Sequence, residues 1–388
     1  MISQLTEPSA RADALATAEL VARTAAAAAD QVDQDAAFPQ AAVSALTEAG
    51  LLRAGLPVEL GGMGLDTATL AEIARILGRA CGSTAMIWAM HQLQIACVAR
   101  HLDSEDGLLA ELLCSTVVSG GLIASVTTER GVGGNLRESR APCIADAGRV
   151  TLVKEAPTVS YLLMADAFLI TARRSPAAAP GEQVLVLAAR DQAELQDVGD
   201  WQVMGMRGTR SPGARIAVDV PAGQVVTTPF GEVAVRTMVP LSHILWSAVW
   251  IGIAEQAAGR ATRFLRHARR DQNIRPDLRL ASIGERLDAL NGLLRMVIQG
   301  YDQVSASGAG EPTTDFAVQV NNLKLAASIQ TVKIAEAALE ICGMAGYQEQ
   351  GELSVARMLR DLYSARLMIS NSRLQEANAT AMLVRRYG

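Results

Sequence analysis

The spacing of apolar positions changes period twice along the chain. Up to about residue 118 it is helical. Leu70, Ile73, Ala74 and Leu77 fall on one helical face. An Ala-rich run covers 11–36. A second run, 40–50, follows Phe38-Pro39, with Pro suited to a first helical position, and stops at Gly50, a residue suited to a helix end. Further helices are predicted over 84–100 and 105–114. At Gly120-Gly121 the texture shifts to Gly, Pro and short β-rich runs at 121–126, 150–153, 167–172, 184–188 and 215–220. Ile216, Val218 and Val220 alternate with polar or small neighbours, the period of a half-buried strand. Short strands between turn residues predict a small antiparallel sheet or barrel. From about 240 the helical period returns. Leu241, Ile244, Leu245, Ala248, Ile251, Gly252 and Glu255 trace one face. Later helices are predicted at 283–297, at 321–342 with Leu325, Ile329, Val332, Ala335 and Leu339 on one stripe, and at 354–385. The result is a mainly helical α+β chain. Its N-terminal helical domain covers 1–119, an antiparallel β-domain 120–230, and a C-terminal four-helix bundle 231–388.

Composition narrows the function classes. The formal charge of −5 gives no basic stripe for nucleic acid. No stretch of eighteen apolar residues is free of charge, so no membrane span is expected. The N-terminus lacks a basic start followed by an apolar run, and a cytoplasmic protein is expected. The five cysteines form no CxxC pair, and the four histidines show no metal-ligand spacing, so buried thiols and no metal are expected. A Walker loop, a GxSxG elbow, HExxH and the GxGxxG spacing are all missing.

Six local strings then fall into one order. FPQAAVSALTEAGLLRAGLPVELGGMG (38–64), Thr128-Glu129-Arg130-Gly131-Val132-Gly133-Gly134-Asn135, Lys154 through Asp166, Gly205-Met206-Arg207-Gly208-Thr209, Ile341 through Tyr347, and Arg360-Asp361 together resemble the acyl-CoA dehydrogenase family. The resemblance spans nearly the whole chain. It implies FAD between the β-domain and the C-terminal bundle, in a homodimer or homotetramer. It assigns cofactor contacts to Thr128, Gly133, Gly134, Thr158, Gly343, Gly346 and Asn371, with Arg269 or Arg270 on the pyrophosphate. Gly343 and Gly346 are expected to let a neighbouring chain approach closely. Two departures stand out: Gly134 replaces the family's Ser, and Ala156 stands where a Trp often covers the flavin.

A dehydrogenase of this family removes a proton beside a thioester while the adjacent carbon passes a hydride to the flavin. The resemblance places its base, a Glu, in an Arg-Asp-six residues-Tyr-Glu-Gly-Thr-x-x-Ile-Gln string. Matching Leu374-Gln375 to Ile-Gln puts Ile369 at that position. An alkyl group takes no proton, although the backbone N–H of Ile369 still offers a donor to a thioester oxygen. A minority form carries the Glu on an earlier helix. There Ser242 takes the Glu position and His243 the place of the following Arg. With an ordinary pKa near about 6.5, His243 is the leading base candidate, though a histidine at a helix start also serves as a cap. Glu255 and Glu376 are weaker alternatives. His91, on an apolar run, is expected to be a core histidine. Trp246 and Trp250 suit the core or a narrowed acyl pocket.

Three functions are consistent with these residues. The first is desaturation of a short acyl thioester on CoA or a carrier protein, with electrons passed to a flavoprotein acceptor. In its sharper form, suggested by likeness to polyketide-pathway members, it acts at γ,δ of an α,β-unsaturated chain. The second is a two-component flavin-dependent monooxygenase, which dispenses with the Glu. The third is a non-enzymatic scaffold.

Overall fold

The structure is a computed structural model that describes residues 8–103, 106–133, 135–271, 277–307 and 312–383. Five helices come first: α1 (Pro8–Gln34), α2 (Gln40–Glu48), α3 (Thr67–Ala80), α4 (Gly82–Ala99) and α5 (Gly107–Val118). Asp66 caps α3 by accepting the Thr69 N–H at 2.7 Å. α4 is apolar on nearly every face and is buried along almost its whole length.

Seven strands follow: β1 (Ile123–Val126), β2 (Ile144–Asp146), β3 (Arg149–Ala156), β4 (Ala167–Arg173), β5 (Gln183–Ala189), β6 (Ala193–Gln196) and β7 (Ala214–Pro221). They form a three-stranded sheet, β1-β4-β5, and a four-stranded antiparallel sheet, β2-β3-β7-β6. The expected all-antiparallel arrangement is corrected at β1, which runs parallel to β4. A parallel pair needs a crossover, and here the connection carries β2 and β3 of the other sheet.

The C-terminal unit starts with α6 (Phe230–Val233) and a π-helical turn, Ala234–Met238. These lead into α7 (Val239–Asp271), α8 (Leu278–Ser307) and α9 (Thr314–Cys342), and then α10 (Met344–Tyr347), α11 (Ala356–Tyr363) and α12 (Asn371–Met382). The expected single last helix is corrected: the chain breaks between α11 and α12. Ile369 there has φ +54, which cannot continue a right-handed helix. The fourth member of the expected bundle is therefore two short helices.

α7 is the central strut. The span from Phe230 to Ala268 is long and apolar enough to cross a membrane by composition, but 94% of its apolar window is buried inside the protein. It packs against α3, α4, α8 and α9. Its crossing with α3 is close because both helices bring a glycine to it. A Cβ on Gly252 would stand 2.2 Å from the Arg75 carbonyl, and one on Gly78 would stand 2.5 Å from the Val249 carbonyl. On α9 the expected stripe is displaced. Leu325 and Ile329 are only half-buried, whereas Lys324, Ala327, Ser328 and Thr331 face inward.

Candidate functional site

The cleft between the β-domain and the last helices has two walls. The first begins at the end of β1 and runs through Thr128. Its hydroxyl donates to the Thr158 carbonyl at 2.6 Å and accepts the Thr158 N–H at 3.2 Å. This pair ties the 128–133 loop to the segment after β3. Behind it, buried Glu129 fixes the loop. Its carboxylate accepts the Ser139 hydroxyl at 2.7 Å and the N–H groups of Arg140 and Ala141 at 2.7 and 3.0 Å. Lys154 on β3 lies 3.5 Å away and donates to the carbonyl and hydroxyl of Thr171, each at 2.7 Å. Burial lowers the Lys154 pKa to about 8, against the opposing pull of Glu129.

The second wall is the 369–373 stretch. The Ile369 carbonyl accepts from Nζ of Lys324 on α9. The same ammonium donates to Oδ1 of Asn371 at 2.7 Å. The Asn371 amide also meets the Ser328 hydroxyl, its Nδ2 donating at 3.0 Å. One turn into α12, Arg373 donates to the carbonyl of Gly133. The two segments therefore touch, and the structure brings Gly133 beside the stretch that carries Ile369 and Asn371, with Thr128 and Thr158 further along the β-domain side. Gly134 and the side chains of Arg269 and Arg270 lie outside the described residues.

Ile369 is half-buried against the core, as an alkyl wall should be. Ser242 is buried and donates to the Val239 carbonyl at 2.9 Å, a bond within its own helix. His243 is fully buried. Its Nδ1 lies 3.3 Å from the Val320 carbonyl, which favours the tautomer with the proton on Nδ1, and its Nε2 has no partner among the described residues. Burial first, then the charge of Lys324, pushes its pKa down to about 3. Such an imidazole is neutral at pH 7 and is a far weaker proton acceptor than the candidate base required. This argues against His243 as the base.

Nor do the carboxylates fill the gap. Glu255 is held by Arg75 at 2.9 Å and Arg79 at 3.3 Å, tying α7 to α3. Glu376 is exposed on α12. His91 is a satisfied core histidine, with Nε2 3.0 Å from the Leu52 carbonyl and Nδ1 accepting the Ile123 N–H at 3.1 Å. Trp246 donates to the Met90 sulfur at 3.2 Å, and Trp250 is fully buried.

Gly346 has a packing reason within this chain for being glycine. A Cβ there would stand 2.6 Å from the Cys342 Cβ at the end of α9, so packing against that helix end already demands glycine. Gly343 has φ +55 and open space around its Cβ position, which leaves room for approach from outside. Lys324 escaped the sequence reading. Its signal was a lone lysine three to four residues from Val320, Ala327 and Ser328, on the inward stripe of α9.

The donor set fits a flavin. Hydroxyls of Thr128, Ser370 and Ser372 and the Asn371 amide lie on the two segments that Arg373 joins to Gly133. A flavin ring presents N–H and C=O groups on one edge, which hydroxyls and amides complement. Arg373 beside Gly133 supplies positive charge on the same side.

Comparison with known proteins addresses the family. The chain is 24% identical to cyclohex-1-ene-1-carbonyl-CoA dehydrogenase of Syntrophus aciditrophicus, over 85% of this chain and 79% of that protein. It is 26% identical to the amino sugar nitrososynthase DnmZ of Streptomyces peucetius, over 87% and 84%. Its fold superposes on FMN-bound TdsC, a dibenzothiophene monooxygenase of Paenibacillus sp. A11-2. The TM-score is 0.83 at 20% identity, covering 97% of this chain and 98% of that one. The N-terminal domain model of acyl-CoA dehydrogenases matches residues 10–105, and the C-terminal domain model matches residues 233–369. Together these matches cover more than half of the chain, which belongs to the acyl-CoA dehydrogenase family of flavin-binding enzymes.

Proposed function

We propose that this chain is a flavin-dependent oxygenase that oxidises a nucleophilic nitrogen or sulfur atom, using reduced flavin delivered by a separate reductase. The observation that carries this is the cleft's lack of a base. By the family resemblance Ile369 and Ser242 fall at the two carboxylate positions, and burial makes His243 a weak proton acceptor. Removal of a carbon-bound proton needs an acceptor within reach. Oxidation of a heteroatom lone pair does not. Bound reduced flavin would supply two electrons to O₂, placing one oxygen atom on the substrate and releasing the other as water. The protein's part is positional. Thr128, Thr158 and Asn371 would orient the ring, and Ile369 would present an apolar face to the substrate. The names of the nitrososynthase and the dibenzothiophene monooxygenase support this class.

A second reading retains one specific support. The substrate named for the Syntrophus relative is a thioester already unsaturated beside its carbonyl. An alkyl wall at 369 suits oxidation further along such a chain, at γ,δ, on CoA or a carrier protein with a flavoprotein acceptor. In either case the assembly we propose is a cytoplasmic homodimer or homotetramer, with FAD or FMN as the flavin.

Flavin binding and anaerobic mixing separate the two. The oxygenase should bind reduced FMN or FAD more tightly than the oxidised form, and should leave bound oxidised flavin yellow when butyryl-CoA or crotonyl-CoA is added. Bleaching by either thioester overturns the oxygenase reading. Bleaching by crotonyl-CoA alone establishes the second one.

A further inference from the structure

Lys324 is fully buried, and burial is the one cause of its lowered pKa, with no carboxylate contributing. Its partners are instead a main-chain carbonyl and a side-chain amide oxygen, both on the 369–371 segment. We propose that Lys324 is the positioning residue of this cleft. Through Ile369 and Asn371 it fixes the 369–373 stretch, and so fixes the wall that meets the 128–133 loop.

Three observations converge on this. Ile369 is β-branched with φ +54, a conformation that its own side chain disfavours, so something outside the residue must hold it. Lys324 is the described group that bonds its carbonyl, and it bonds Asn371 two residues on with the same ammonium. Ser328, one turn along α9, meets Asn371 as well, so the stretch is fastened to a long, well-packed helix at two levels. Arg373 then passes that fixed position to the carbonyl of Gly133. The path runs from α9 through 369–373 to the loop, by bonds between named atoms. It rests on the cleft being the flavin site and is independent of which reaction occurs there. Deprotonation would not release the clamp, because a neutral amine keeps two N–H donors for its two acceptors.

Hydrogen exchange on the full chain reads the clamp without any ligand. In Lys324→Met, amides of 367–373 should exchange at least about tenfold faster, the scale of one lost anchoring bond. Faster exchange should spread to 128–133, while the α3–α7 crossing keeps its protection. Lys324→Arg, which keeps a charged donor, should recover part of the protection. Wild-type protection of 367–373 in Lys324→Met overturns the proposal, as does loosening of 367–373 that leaves 128–133 unchanged. If Lys324→Met does not fold, Arg373→Ala tests the outer half of the path. Exposed Arg373 can be removed without touching the core, and the 128–133 loop should again exchange faster. An unaffected loop overturns the proposal. FMN affinity of Lys324→Met, measured alongside, should fall several-fold. Loosened exchange with unchanged FMN affinity would show that the clamp exists and that the flavin lies elsewhere.

Discussion

The two walls of the cleft each rest on a buried lysine, and the lysines are partnered differently. On the β-domain side, Lys154 has Glu129 as counter-charge and Thr171 as acceptor. On the helical side, Lys324 has the Ile369 carbonyl and the Asn371 amide, neither of them charged. Both have pKa values lowered to about 8. An ion pair fixes a loop strongly but strands a charge if either member is lost. A cation held by dipoles leaves only unsatisfied acceptors behind.

The largest expected effect follows from that asymmetry. Glu129→Ala should destabilise the protein by about 3–5 kcal/mol, because it leaves Lys154 buried without its counter-charge. The Glu129→Ala, Lys154→Met double variant should recover part of this in urea unfolding. A double variant as unstable as the sum of the singles would break the comparison. Lys324→Met should cost less, about 1–3 kcal/mol, since it strands acceptors and no charge. A larger loss than that of Glu129→Ala would reverse the contrast.

A pH-dependent difference comes next. Each lysine titrates at about 8 in the folded protein and at 10.5 when unfolded. The folded pKa is depressed, so the stability linked to each lysine is present above 10.5 and is lost as pH falls through 8. Between those values the wild type should gain stability relative to Lys324→Met as pH rises, measured as the difference between their urea midpoints. A constant difference would place the Lys324 ammonium in water. Thr128→Val should show the smallest effect, about 1 kcal/mol from the lost hydroxyl bonds to Thr158, read as a fall in Tm of about one degree. No change at all would mean that the pair does not hold the loop.

Much of the fold was legible because burial imposes a period. The runs at 121–126, 150–153, 167–172, 184–188 and 215–220 became β1, β3, β4, β5 and β7. The strands β2 and β6 were not legible. They have three and four residues, and β2 is exposed throughout, so no face selects an alternation. The break before α12 was hidden for another reason. The residues from Leu367 to Ser372 carry no Gly or Pro, and the left-handed Ile369 is held by tertiary bonds that local sequence does not encode. Ile369 and Thr128 were singled out by counting along recognisable strings. Lys324 was not, because a single lysine among small and apolar residues reads as a surface charge until its acceptors, 45 and 47 residues away, are brought beside it.

The clamp at Ile369 has a consequence for how such a protein changes over generations. The backbone path at this position is set by α9, through the carbonyl, and not by the side chain it carries. Replacing that side chain leaves the scaffold's anchoring bonds untouched. A proton acceptor can therefore be gained or discarded there by altering a single codon, without rebuilding the wall. Chains with nearly the same architecture can then diverge in chemistry faster than they diverge in shape.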